Sequence, residues 1–251
     1  MHIVERIRRA LIGRLLPIPV TARHVEYSVI ASLDDDPAHP SQRLLDVALK
    51  AVHHARTVSL ADVAARVAGP IPVPEVWPGE GYKLLAGLIA VLAPKLIVEI
   101  GTGGGTGTLT MLRMLAPAAR LVTFDPVRWD DYPEHLLRGE DFQDGRLTQH
   151  ADDLANPECF ARHRGLLERT EVFFLDGPKD GLMEQRFLDH LRTVAFAAPP
   201  VLIFDDIRVR NMLRIWRRIA SSKLDLTSFG HWTGTGLVEW QPAGTTVLRD
   251  R

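Results

Sequence analysis

The chain has 251 residues, 46% of them hydrophobic, and a formal net charge of -1. That is long for one domain and short for two, apolar enough for a sizeable core, and too evenly charged to be drawn to nucleic acid. A single cysteine, Cys159, excludes an internal disulfide and a thiolate zinc cluster, and the chain carries no run of about twenty apolar residues that would span a membrane, so a cytoplasmic protein is expected.

The first third reads as helical. Between Met1 and Pro17, Ile3, Ile7, Leu11 and Leu15 recur at helical spacing, with Arg6, Arg8 and Arg9 mostly off that stripe. Charges break the apolar run, so a secretory signal is not expected. A cap helix docked on the body or on a second subunit is, and with it a homodimer; a helix lying on a membrane surface is the alternative. Ser41 to Arg56 is expected as a helix, and Leu60 to Ala68 as another with Ser59 as N-cap and Gly69 beyond its end. Pro70, Pro72, Pro74 and Pro78 then enforce an extended connector. Residues 1–78 therefore read as a helical cap and connector, and residues 79–251 as the main domain.

From Tyr82 the rhythm changes. A helix to Leu92 precedes an apolar strand, Leu96 to Ile100, then a glycine loop and a helix over Thr108 to Leu115. Further strands are expected at Leu121–Phe124, Arg146–His150, Glu171–Leu175 and Val201–Phe204. Helices carry Leu182, Phe187, Leu188, Leu191 and Val194, and then Val209, Met212, Leu213, Trp216 and Ile219. Such alternation predicts an α/β fold with a doubly wound, mostly parallel sheet covered on both faces. Leu226–His231 and Gly236–Trp240, with no helix between them, are expected to pair antiparallel as an edge hairpin, giving a seven-stranded sheet.

Ligands of such sheets sit beyond the carboxyl ends of the strands. Three strands here end in acids: Asp125, Asp176, and Asp205 with Asp206. The glycine loop from Gly101 to Gly107 lacks the lysine of a triphosphate loop. It also fails the dinucleotide spacing, because the sixth position is Thr106 or Thr108 according to the starting glycine. Glu99 beside it would repel a pyrophosphate and suits a ligand with a positive end. Asp125 closes the next strand, where an acid can accept from ribose hydroxyls.

Glu99-Ile100-Gly101-Thr102-Gly103, with Asp125, resembles the first two motifs of class I S-adenosylmethionine-dependent methyltransferases, over roughly Gly81 to Trp240. The resemblance implies that Gly101, Thr102, Gly103, Gly105 and Thr106 face the donor's amino-acid part. It also implies that Asp125 holds the ribose and Asp152 meets adenine, with Asp153 as its neighbour. Asp176-Gly177-Pro178-Lys179 and Asp205-Asp206 are similar to the cation-dependent O-methyltransferases of the catechol and caffeoyl-CoA type. There the implied metal ligands are Asp176, Asp205 and Asp206, for Mg²⁺ or another divalent cation, and Lys179 is the implied base on the acceptor hydroxyl of a small molecule. Asp206 stands where that family has asparagine, and it could instead be a base or cap the next helix. Metal-free methylation of nitrogen, carbon or carboxylate, and more remotely an NAD-dependent oxidoreductase, stay open as alternatives. His231 and Trp232, between the two tail strands, could touch the acceptor but read rather as a turn histidine and a half-buried tryptophan, and Cys159 reads as structural.

Overall fold

The computed structural model describes residues 38–209 and 211–241, which belong to one compact unit starting at Ala38. The amphipathic segment Met1–Pro17 lies outside the described residues. Among the described residues, seven strands form one sheet: β1 (Leu96–Ile100), β2 (Arg120–Phe124), β3 (Leu147–His150), β4 (Val172–Leu175), β5 (Val201–Asp205), β6 (Lys223–Asp225) and β7 (Thr235–Glu239). Their order is β3-β2-β1-β4-β5-β7-β6, with β1 to β5 parallel and β7 antiparallel to both of its neighbours. The chain leaves β1 toward β2 on one side and returns to β4 on the other. The crevice for a ligand therefore opens at the tips of β1 and β4.

Side chains alternate across each strand, and both faces are apolar. On β1, Ile97 joins a core with Leu84, Leu88, Leu109 and Leu121, while Val98 joins a second with Phe160, Phe173, Phe187 and Trp216. The first core is covered by α1 (Gln42–Ala55), α3 (Tyr82–Leu92) and α4 (Thr106–Met114). The second is covered by α5 (Pro157–Leu167), α6 (Met183–Leu191) and α7 (Met212–Arg218). Ser41 caps α1 by accepting from the Leu44 amide. The stripe Ala48, Ala51 and Ala55 lets α1 lie so close to α3 that a Cβ on Gly87 would come 2.4 Å from the Ala51 carbonyl oxygen.

Two expected elements differ. The second helix, α2, spans only Ala61–Ala64. Beyond it Arg66 and Val67 donate three residues back rather than four, a tightened turn that presents Arg66 to Asp141 at 2.6 and 3.0 Å. Leu226–His231 is not a strand: the outer strand is Lys223–Asp225, and Thr227–Phe229 forms a 3₁₀ turn. Asp225 explains the break, since its Oδ1 accepts from both the amide and the hydroxyl of Thr227 and so bends the chain out of the ladder. The antiparallel pairing itself is as expected. Among the described residues, no helix is long and apolar enough to cross a membrane.

Candidate active site at the strand tips

A cavity of about 420 Å³ opens at the tips of β1 to β4. That volume lies within the range of small-molecule pockets. Gly101, Gly103, Asp125, Asp152, Asp153 and Asp176 line it. The glycine loop gets its path from left-handed backbone at Gly101, Gly103 and Gly105 (φ 96, 47 and 88°), which glycine adopts without steric cost. Asp125 ties the loop down: its Oδ2 accepts from the Gly103 amide at 3.1 Å and its Oδ1 from Val127 at 2.9 Å. Asp152 accepts from His163 Nε2 at 2.7 Å and from Arg162 at 3.0 Å, and the hydrogen bond from His163 holds its pKa below the usual carboxylate value. Asp153 is spent locally, accepting from the Ala155 amide.

The other expected cofactor residues sit elsewhere. Glu99 is 1% exposed, outside the cavity lining, and its Oε2 accepts from Thr108 Oγ1 at 2.6 Å. Burial pushes its carboxyl up to about 8, so it is mostly protonated at neutral pH and offers little charge to a ligand. Thr102 is also buried, bonded to Thr123 Oγ1 at 2.7 Å and to Gln149 Nε2 at 3.1 Å. Gly105 is packed under Leu137, which a Cβ there would strike at 2.6 Å. Thr106 opens α4 and bonds the Tyr82 hydroxyl.

Asp176 also lines a second, smaller cleft of about 30 Å³, together with Glu80, Tyr82, Asp205 and His231. It thus stands between the two spaces. Lys179, buried and in left-handed backbone, donates to Asp176 Oδ1 and lies 3.5 Å from Asp206 Oδ2. Burial works against its ammonium, but Asp176, Asp205 and Asp206 outweigh burial and raise the pKa. Asp206 is left-handed too (φ 59°), a conformation that asparagine and aspartate tolerate best.

The residue that the sequence undervalued is His231. Its Nδ1 lies 3.3 Å from Asp205 Oδ1 and 3.2 Å from Asp206 Oδ1. Burial opposes its charge, yet hydrogen bonds to the two aspartates raise its pKa to about 10. Among the described residues, two groups have metal-capable side-chain atoms within 4.8 Å of one another: Asp205, Asp206 and His231 here, and His150, Asp152 and His163 at the end of β3. Asp176 is in neither. Two carboxylates and an imidazole fit a divalent cation. The signal was present in the chain: an antiparallel β7 brings the residues that precede it, His231 to Gly234, to the edge where the parallel strands end. Trp77 donates from Nε1 to the Phe229 carbonyl at 2.7 Å and lines neither space, while Trp232 is 72% exposed.

No family model and no curated protein matches the chain. Solved structures do. A methyltransferase from Geobacter sulfurreducens is 19% identical, covering 70% of this chain and 94% of its own, with a TM-score of 0.49. The O-methyltransferase TomG from Streptomyces achromogenes, involved in tomaymycin synthesis and solved with SAM, is 17% identical over 80% and 90%, with a TM-score of 0.43. An O-methyltransferase from Bacillus cereus, solved with SAH, is 16% identical over 79% and 92%, with a TM-score of 0.42.

Proposed function

We propose that this chain is an S-adenosylmethionine-dependent methyltransferase that methylates a hydroxyl oxygen of a small molecule, assisted by a divalent cation. One observation carries the reading: among the described residues, the 420 Å³ cavity is lined by five aspartates (Asp125, Asp152, Asp153, Asp176 and Asp180) and by no lysine, arginine or histidine. A pyrophosphate would meet net repulsion there, whereas a sulfonium and an ammonium would be attracted. Asp125 would accept from the ribose hydroxyls. Phe124, Leu154 and Met183 supply apolar wall for adenine. Gly101 and Gly103 let the donor's amino-acid end approach the backbone.

Methyl transfer asks the protein for in-line positioning, because the donor carries the reactivity. Asp176, shared by both spaces, would face an acceptor hydroxyl placed between them and take its proton, with Lys179 fixing the carboxylate. Asp205, Asp206 and His231 would hold the cation, which when bound lowers the pKa of an acceptor hydroxyl. A second reading has its own support: Lys179 and His231 already offset the three carboxylates, as metal-free transfer to nitrogen, carbon or carboxylate would require. Unchanged turnover after thorough chelation would favour it.

Calorimetric titration with S-adenosylmethionine, S-adenosylhomocysteine and NAD tests the donor. The adenosyl sulfur compounds are expected to bind and NAD is not; the reverse result would sink the proposal. Asp125→Ala should weaken S-adenosylhomocysteine by about ten- to a hundred-fold, the worth of hydrogen bonds to a charged group.

A further inference from the structure

We infer that His231 is a nitrogen ligand of the cation at Asp205 and Asp206, oriented by Glu80, and that it makes the site select a transition ion of the Mn²⁺ to Co²⁺ class over Mg²⁺. This rests on the cation-assisted reading above and names the ion which that reading leaves open.

The donor atoms are already gathered. His231 Nδ1 stands 3.3 and 3.2 Å from one oxygen each of Asp205 and Asp206. Neighbouring ligands on an ion with bonds of about 2.0–2.2 Å are about 3.0–3.4 Å apart, so Nδ1 already stands at ligand spacing from both aspartates, and the three donor atoms lie within 4.8 Å of one another. Nδ1 also meets Thr233 Oγ1 at 2.7 Å. Two carboxylate oxygens and a hydroxyl thus surround one ring nitrogen, an arrangement that suits an N–H donor or a shared metal ion.

The other side of the ring supports the metal. His231 Nε2 lies 4.0 Å from Glu80 Oε2. A carboxylate hydrogen-bonded behind a histidine is the usual partner of a metal-bound imidazole, and Glu80 would fill that place by closing about 1 Å onto Nε2. The backbone holds this geometry, because His231 bridges to Gly79 and Glu80, and Trp232 donates to the Gly79 carbonyl at 3.0 Å. Beside the ring, the 30 Å³ cleft lined by Glu80, Tyr82, Asp176, Asp205 and His231 has room for about one water. An imidazole in the ligand set favours borderline ions, whereas an all-oxygen set suits Mg²⁺.

The test uses the full chain, stripped with chelator and titrated with MnCl₂, CoCl₂ and MgCl₂ by calorimetry, with the Co²⁺ visible spectrum recorded. Co²⁺ should bind about tenfold or more tightly than Mg²⁺. His231→Asn should bring the two ions within about threefold of each other and shift the Co²⁺ bands. Should that variant fail to fold, Glu80→Gln serves: Co²⁺ affinity should fall about ten- to a hundred-fold. Equal affinity for Mg²⁺ and Co²⁺ in the unaltered protein, or a Co²⁺ spectrum and affinity indifferent to both substitutions, overturns the inference. S-adenosylhomocysteine is titrated in parallel. Binding of it without any metal uptake removes the His231 site and leaves the donor reading standing. Co²⁺ held through His231 without affinity for the adenosyl compound does the opposite.

Discussion

Gly101→Ala is expected to cost about 3–5 kcal/mol of stability and to abolish measurable S-adenosylhomocysteine binding. Gly101 joins the end of β1 to the loop at φ 96°. A Cβ there would lie 2.1 Å from the Asp176 carbonyl oxygen and 2.7 Å from its carbon. These are backbone atoms of the neighbouring strand's tip, which cannot rotate aside as a side chain could. Either the ends of β1 and β4 part or the loop abandons its path, and both changes deform the cavity where Asp176 and Gly101 meet. Gly103 supplies the control. It is also left-handed, but nothing lies within 4 Å of a Cβ built there, so Gly103→Ala should cost only the backbone strain, about 1–2 kcal/mol. Thermal unfolding should separate the two by roughly 5–10 °C for a chain of this size. Equal losses in the two variants would refute the steric argument.

A second large effect concerns pH. Glu99 has a carboxyl pKa of about 8 in the folded chain against an ordinary 4.5, chiefly because burial penalises its charge. Between those values the folded state keeps a proton that the unfolded state has released. The contribution of Glu99 to stability is therefore fully present below about pH 4.5 and declines by about 1.4 kcal/mol per pH unit toward pH 8. From pH 6 to pH 8 the loss should be roughly 2–3 kcal/mol. Glu99→Gln keeps the shape and the acceptor for Thr108 but cannot ionise, so its stability should be flatter over the same interval. Chemical denaturation at both pH values measures the difference. Parallel slopes for the two proteins would assign the proton to another group.

The sheet was legible because its evidence is local. Apolar runs ending in Asp125, Asp176 and Asp205 mark parallel strands, and the acids mark the edge at which ligands are met. Glu99 shows where local reading stops. An acid one residue before a strand's end can face the ligand or the covering helix; here it meets Thr108 of α4, one layer beneath the cavity. Thr102 is similar: it lies within the glycine loop, yet its hydroxyl turns in to Thr123 and Gln149. Its direction is set by the two left-handed glycines beside it, and a string of letters does not state their φ. His231 was undervalued although the antiparallel pairing that places it was expected. A histidine before a strand belongs to the far edge in a parallel sheet and to the ligand edge in an antiparallel one, so its role depends on the direction of β7.

The direction and place of β7 also bear on how the molecule is made. Among the described strands β7 comes last in the sequence, yet it lies between β5 and β6 and is the partner of both. Until it emerges, the outer edge of Val201–Phe204 has no neighbour, and the β6 segment has nothing to join. A nascent or C-terminally clipped chain ending before Thr235 would present an apolar, unpaired edge open to other chains. The same chain would retain the residues around the larger cavity and lack part of the smaller cleft. Completion of the fold and assembly of the acidic tip with its histidine are thus one late event, tied to the arrival of a single five-residue strand.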